Sequence, residues 1–246
     1  MIDIHVHFGQ FNENFYDPDQ IVNDLIKFGA DQIGLMPTIS KKGDNILDSH
    51  KIMIELTHNY KDFIIPILWI HPSTGLATIN QILKELPYKI IKIHGYFHDW
   101  HKNPNKLQKI ITIAKDKNLP IMFHTGGRKE SYAFSYKKIC KENPDNIFIL
   151  AHSRPVKGTI NILRNCSNVY CDTAFVPMND LKLVINSGLE DRILFGTDYP
   201  IINAFEGFQQ DKLLYIEIIS KLRSEVSEKI FKKITEDNFK NILREF

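Results

Sequence analysis

Cysteine is scarce in this sequence: Cys140, Cys166 and Cys171 are the only three, and no two form a Cys-x-x-Cys pair. An odd count without paired spacing argues against a disulfide framework and fits a reduced, intracellular setting. Long apolar runs are missing too. The longest, Phe63 to Ile70, falls far short of the roughly 18 residues a membrane span needs. Met1 leads straight into an apolar strand and a histidine cluster, an arrangement expected to leave no room for a secretory leader. Nor is there an excess of either charge, since 31 basic and 29 acidic residues give a formal net charge of +2. No basic block is threaded with aromatic residues, so nucleic acid is not an expected partner. The densest charge, Lys221 to Arg244, alternates in sign at helical spacing, as a solvated helix face does. No linker, low-complexity tract or sequence repeat interrupts the chain. The expectation is a cytoplasmic protein acting on a small-molecule substrate, with neither nucleic acid nor membrane as partner. A homodimer is the commonest assembly for such a protein.

What the chain does contain is alternation. Short runs rich in Ile, Val and Phe recur at Ile2–Val6, Gln32–Met36, Ile64–Ile70, Ile90–His94, Pro120–His124, Ile147–Ala151, Val169–Cys171 and Ile193–Phe195. Longer amphipathic stretches separate them. In one, Gln20–Phe28, the residues Ile21, Val22, Leu25, Ile26 and Phe28 form a stripe suited to packing on a sheet. Asp17-Pro18 and Asn103-Pro104 each place a capping side chain before a proline at the first helical position. His50 and His58 fall in another such stretch and are expected on its surface. Eight strand-then-helix units with near-continuous apolar strands imply an α/β protein with a parallel sheet covered by helices. The 246 residues match a single-domain (β/α)8 barrel of about 250. A doubly wound open sheet would show the same alternation.

The polar residues favour closure. In Ile2-Asp3-Ile4-His5-Val6-His7 the apolar residues share one strand face, while Asp3, His5 and His7 share the other. Two imidazoles so placed, about 7 Å apart at Cα, can converge on one cation at about 2.0–2.1 Å from each nitrogen. Further apolar strands stop at His124, at His152 and, through Gly196-Thr197, at Asp198. In a barrel these carboxyl ends form one rim, where such enzymes keep their active sites. Burying several histidines with a carboxylate is costly unless they share a cation or a proton.

With these strings in place, the chain resembles the amidohydrolase superfamily, and most closely its amidohydrolase-related branch. The resemblance rests on DIHVH at Asp3–His7, KIH at Lys92–His94, FHTGG at Phe123–Gly127, LAHSRP at Leu150–Pro155, FGTDYP at Phe195–Pro200, and the terminal Asp237–Leu243. It implies a distorted (β/α)8 TIM barrel with a catalytic divalent ion, usually zinc, with Mn, Fe or Ni as alternatives. By the same resemblance His5, His7 and His124 are its imidazole ligands and Asp198 its carboxylate. His152 matches a second-metal ligand in two-metal relatives and a catalytic histidine in one-metal relatives. Lys92 matches a lysine that can be carboxylated and bridge two ions, whereas a KLHP-like string accompanies one metal; Gly95 stands here in place of that proline. One metal is the favoured count, leaving Lys92 and His94 to meet substrate.

A cation held by three nitrogens and a carboxylate oxygen keeps an open position for water and lowers its pKa from about 15.7 toward 7. The expected reaction is hydrolysis of an amide, lactone or ester, with Asp198 carrying the proton and His152 acting as oxyanion donor or second acid/base. The alternative is a one-metal decarboxylase of an aromatic or unsaturated acid, and a remoter one is a binding barrel that keeps metal for structure. Trp100, in the aromatic loop His94–His101, is a candidate for stacking on substrate, Arg128 and Arg154 for holding an anion, and His71 for a rim contact.

Overall fold

The computed structural model describes residues 1–204 and 211–244. Its strands are β1 (Ile2–Phe11), β2 (Asn14–Tyr16), β3 (Gln32–Pro37), β4 (Ile64–Trp69), β5 (Ile90–Ile93), β6 (Ile121–His124), β7 (Phe148–Ala151), β8 (Val169–Asp172) and β9 (Ile193–Leu194). The helices are α1 (Pro18–Lys27), α2 (Ile46–Asn59), α3 (Leu76–Glu85), α4 (Pro104–Asp116), α5 (Lys137–Glu142), α6 (Val156–Asn165), α7 (Met178–Ile185), α8 (Asp211–Glu225), α9 (Glu228–Lys232) and α10 (Asn238–Arg244).

Apart from β2, every strand pairs parallel with the next along the chain, from β1 through β9. The two ends of that series then meet. Ile4 N–H donates to the Phe195 carbonyl at 2.9 Å, His7 N–H to Tyr199 at 2.8 Å, and Asp198 N–H to His5 at 2.8 Å. These bonds close the sheet, and the expected distorted (β/α)8 barrel is the fold. Strands such as β4 and β7 are buried along their whole length, because helices cover one face and the barrel interior the other. Among the described residues no helix is long and apolar enough to cross a membrane. Cys140, Cys166 and Cys171 are free, buried thiols.

Three local expectations need correction. Asp17 does cap α1, its carboxylate accepting from Gln20 N–H at 2.9 Å, but the Asn103 side chain does not cap α4. Asn103 instead closes the preceding 3-10 turn, its own N–H donating to the Trp100 carbonyl. In α1 the residues Ile21, Val22 and Leu25 are buried while Ile26 lies 47% exposed, one step off the core face. His50 is buried rather than superficial, because the Tyr88 hydroxyl and the Glu85 carboxylate, each at 2.9 Å, meet its two ring nitrogens. β2 was not anticipated either. It pairs antiparallel with the end of β1 around a turn in which Asn12 takes φ 52°.

Between Asp3 and Val6 the β1–β3 register slips, so that Ile4 and His5 together oppose the single residue Gly34. A bulge of this kind bends the strand and re-aims its side chains. It also needs the glycine, since a Cβ at residue 34 would lie 2.6 Å from the Ile4 carbonyl oxygen. Relieving that overlap means moving backbone, so Gly34→Ala should destabilise the fold by about 3 kcal/mol. Urea denaturation reads this directly, and an unchanged midpoint would show that β1 has slack there.

Candidate metal centre and active-site cavity

The seam between β1 and the segment after β9 brings three donors together. One ligand atom each from His5, His7 and Asp198 lie within 4.8 Å of one another, all buried. His7 Nε2 is 2.9 Å and His5 Nε2 3.3 Å from Asp198 Oδ1. Asp3, on the same strand, pins the seam by accepting from Thr197 Oγ1 at 2.7 Å and from His5 N–H at 3.0 Å. Asp198 holds φ at 62° and His152 at 70°. This left-handed region is unusual for residues with a Cβ and tends to mark functional turns.

The donor chemistry fits a divalent cation. His5 Nδ1 stands 2.6 Å from Asp172 Oδ2, so that nitrogen carries the proton and Nε2 turns a lone pair toward the trio. Burial lowers the His7 pKa to about 4, although the hydrogen bond it makes to the Asp198 carboxylate opposes this, leaving a neutral imidazole at ordinary pH. Its Nδ1 is buried without a protein partner. Burial pushes Asp198 upward, but its neighbours His5 and His7 and the Lys92 ammonium together hold it well below the usual carboxylate range. Two imidazoles and an ionised carboxylate are a divalent-metal donor set.

His124 and Lys92 sit just beyond this trio. His124 Nδ1 lies 3.0 Å from His152 Nε2, and its ring stacks on His94 with centroids 3.7 Å apart. His152 Nδ1 faces the Ala174 carbonyl at 3.2 Å, so His152 carries its proton there and accepts one from His124 at Nε2. Among the described residues the compact His/Cys/Asp/Glu groups are His5–His7–Asp198 and His5–His152–Asp172, and neither includes His124. Burial first, then neighbouring positive groups, push His94, His124 and His152 well below the usual imidazole range. Lys92 Nζ lies 3.1 Å from His5 Nε2, and burial lowers its pKa to about 8 against the pull of Asp172 and Asp198.

These groups open onto a cavity of about 710 Å³. Its walls include Phe11, Trp69, Tyr96, Phe97 and Phe175, and its cations are Lys41, Lys92, Arg128 and Arg154. A sequence model described as amidohydrolase matches residues 2–238. The chain belongs to the amidohydrolase family.

Solved structures carry the same fold. A "probable 2-pyrone-4,6-dicarboxylic acid hydrolase" of Acinetobacter baumannii, with citric acid bound, aligns at TM-score 0.68 and 14% identity over 99% of this chain and 98% of its own. The 2,6-dihydroxybenzoate decarboxylase of Rhizobium aligns at TM-score 0.71 and 11% identity over 99% and 97%. A Burkholderia multivorans amidohydrolase with bound zinc aligns at TM-score 0.70 and 11% identity over 99% and 98%. No curated protein sequence matches the chain.

In this amidohydrolase the candidate substrate contacts divide. Lys92, His94, Arg128 and Arg154 line the cavity, Arg128 also reaching Asp99 at 3.3 Å and the Tyr96 ring at 4.8 Å. Trp100 and His71 do not. Trp100 is buried behind the loop, and His71 is turned away by bonds to the Lys41 carbonyl at 2.8 Å and Ser73 Oγ at 2.7 Å. The loop's aromatic wall comes instead from Tyr96 and Phe97, with Trp69 stacked on His94. Asp172 lies one residue beyond the expected apolar run, which stops at Cys171. It is the last residue of β8 and obeys the same rule of a polar residue at a strand's carboxyl end.

Proposed function

We propose that this amidohydrolase hydrolyses a small, flat, anionic carbonyl compound such as a lactone, ester or amide. The observation that carries this reading is a carboxylate acceptor on the cavity: Asp198 Oδ1, 2.9 Å from His7 Nε2 and 3.3 Å from His5 Nε2, lines it together with His124 and His152, and its neighbours hold it well below the usual carboxylate range. Such a site is set to take a proton from water. Decarboxylation needs the opposite, an acid ready to protonate carbon.

His5, His7 and Asp198 would hold one divalent ion, zinc being the expected element. When bound, such an ion polarises a carbonyl oxygen and makes water more acidic. Asp198 takes the proton from the attacking water and returns it to the leaving group. His152, fixed by the Ala174 carbonyl and by His124, serves as the second acid/base. Arg154 makes no ion pair among the described residues, and its guanidinium lies 5.5 Å from the Phe175 ring centre. An anionic group stacked on Phe175 would be within its reach. Lys41, 5.3 Å from the Phe97 ring centre, is the matching cation at the mouth. The citric acid bound by the Acinetobacter protein supports a multiply charged ligand.

The test offers carboxylate-bearing lactones, esters and amides alongside aromatic acids, recording acid release from the lactones and esters by pH-stat, amine release from the amides, and carbon dioxide separately. Acid release without carbon dioxide is expected; carbon dioxide release from an aromatic acid would replace hydrolysis by decarboxylation. For an anionic substrate, Arg154→Met should raise KM about tenfold, the loss of one charge-assisted contact. An unchanged KM would remove Arg154 from substrate binding.

A further inference from the structure

Asp172 is fully buried and bonded on every side. Its Oδ1 accepts from two backbone donors, His152 N–H at 2.7 Å and Ala174 N–H at 3.1 Å. Its Oδ2 faces His5 Nδ1 at 2.6 Å, and its carbonyl accepts from Ser153 Oγ at 2.9 Å. Backbone N–H groups cannot become acceptors, so Oδ1 is committed to them and Oδ2 alone is left for His5. A carboxylate oxygen in that place only accepts. It therefore requires the His5 proton on Nδ1 and the lone pair on Nε2, 3.1 Å from Lys92 Nζ and 3.3 Å from Asp198 Oδ1.

We propose that Asp172 is a positioning residue that fixes the tautomer of His5 and thereby sets the affinity of the site for its divalent ion. The proposal rests on His5 being a ligand. It also gives Asp172 a second task, because the bond to His152 N–H holds the left-handed backbone, φ 70°, that presents the His152 ring. One carboxylate thus ties the aim of the β1 histidine to that of the histidine after β7.

Asp172→Asn isolates the effect with almost no change of shape. The amide oxygen must stay on the two backbone N–H groups, which turns the NH2 toward His5 Nδ1. That nitrogen then has to accept, and the ring proton moves to Nε2, into the space the cation needs. Nitrogen-15 spectra of the metal-free protein, with the His5 signal assigned by its loss in His5→Gln, should show Nδ1–H in the wild type and Nε2–H in Asp172→Asn. Zinc affinity, measured by competition with a chromophoric chelator, should fall 10- to 100-fold in Asp172→Asn, the range for loss of an outer carboxylate.

A wild-type spectrum with the proton on Nε2 overturns the proposal, and does so even if the variant fails to fold. So does an Asp172→Asn protein that binds zinc as tightly as the wild type while His5→Gln has lost it. If His5→Gln itself binds zinc normally, the ligand reading of His5 fails instead, whatever the tautomer.

Discussion

Protein purified without added metal is expected to carry about one divalent ion per chain, and His7→Ala to retain less than about a tenth of it. The trio supplies only three protein donors within reach of one another. Losing His7 removes one of those donors and leaves Asp198 Oδ1 beside His5 Nε2 at 3.3 Å. Elemental analysis of both proteins checks this, with Arg128→Ala as a control outside the trio that should keep its metal. The ion should also stabilise the fold, because it binds the folded state and not the unfolded chain. At a free concentration a thousandfold above Kd this amounts to about 4 kcal/mol, visible as a fall in Tm when a chelator is added. A ratio near two would bring Lys92 and His152 into the ligand set. No metal as isolated, and none taken up when supplied, would end the metal reading of the site.

Acidification of the chelator-treated protein should destabilise it as pH falls from about 6.5, before most of its carboxylates titrate. The cause is a group of histidines that burial keeps neutral. His98 is the cleanest case, since it lies outside the trio and only 5% exposed, with its pKa lowered to about 4 by burial and by His71. In the unfolded chain a histidine titrates near 6.5. Below that value the unfolded state binds the proton and the folded state does not. Stability is therefore lost as pH falls from about 6.5 toward 4, and the loss levels off once His98 protonates in the fold. At pH 5 the expected cost is about 2 kcal/mol for His98 alone. His7, His94, His124 and His152 are displaced in the same direction and add to it in the metal-free protein. Urea midpoints at pH 7.5 and 5 measure the total. In His98→Gln the pH dependence between 6.5 and 5 should lose close to one proton; an unaltered slope would mean that His98 is protonated in the folded protein.

Much of this was legible in the residues because barrel strands are buried on both sides. A run such as Ile64–Trp69 has no solvent face to encode, so its apolar continuity announces it, and the polar residue that follows stands out as exceptional. That is why His5, His7, His124, His152 and Asp198 stand out as rim residues from their places at the ends of apolar runs. Side-chain aim was less legible. His124 shares the cavity yet turns to His152 and His94, and Trp100 sits within an aromatic loop but points into the protein. Such choices are made by contacts between distant segments, which local spacing does not record. The β1 bulge is hidden for the same reason: nothing near Ile4 signals that Gly34 will face it. His50 is buried against the local pattern because its partners, Tyr88 and Glu85, lie 38 and 35 residues away.

The seam that closes the barrel joins the beginning of the chain to its last quarter, and the Asp3–Thr197 bond alone spans 194 residues of sequence. A nascent chain emerging from the ribosome presents His5 and His7 long before Asp198, which follows only after every other barrel strand has been made. Contacts of such long range are slow to form. For most of its synthesis the polypeptide thus displays a histidine pair with no fixed geometry and little power to trap an ion. On the proposed metal reading, acquisition would be a late event, and a bound cation would report that the barrel had closed.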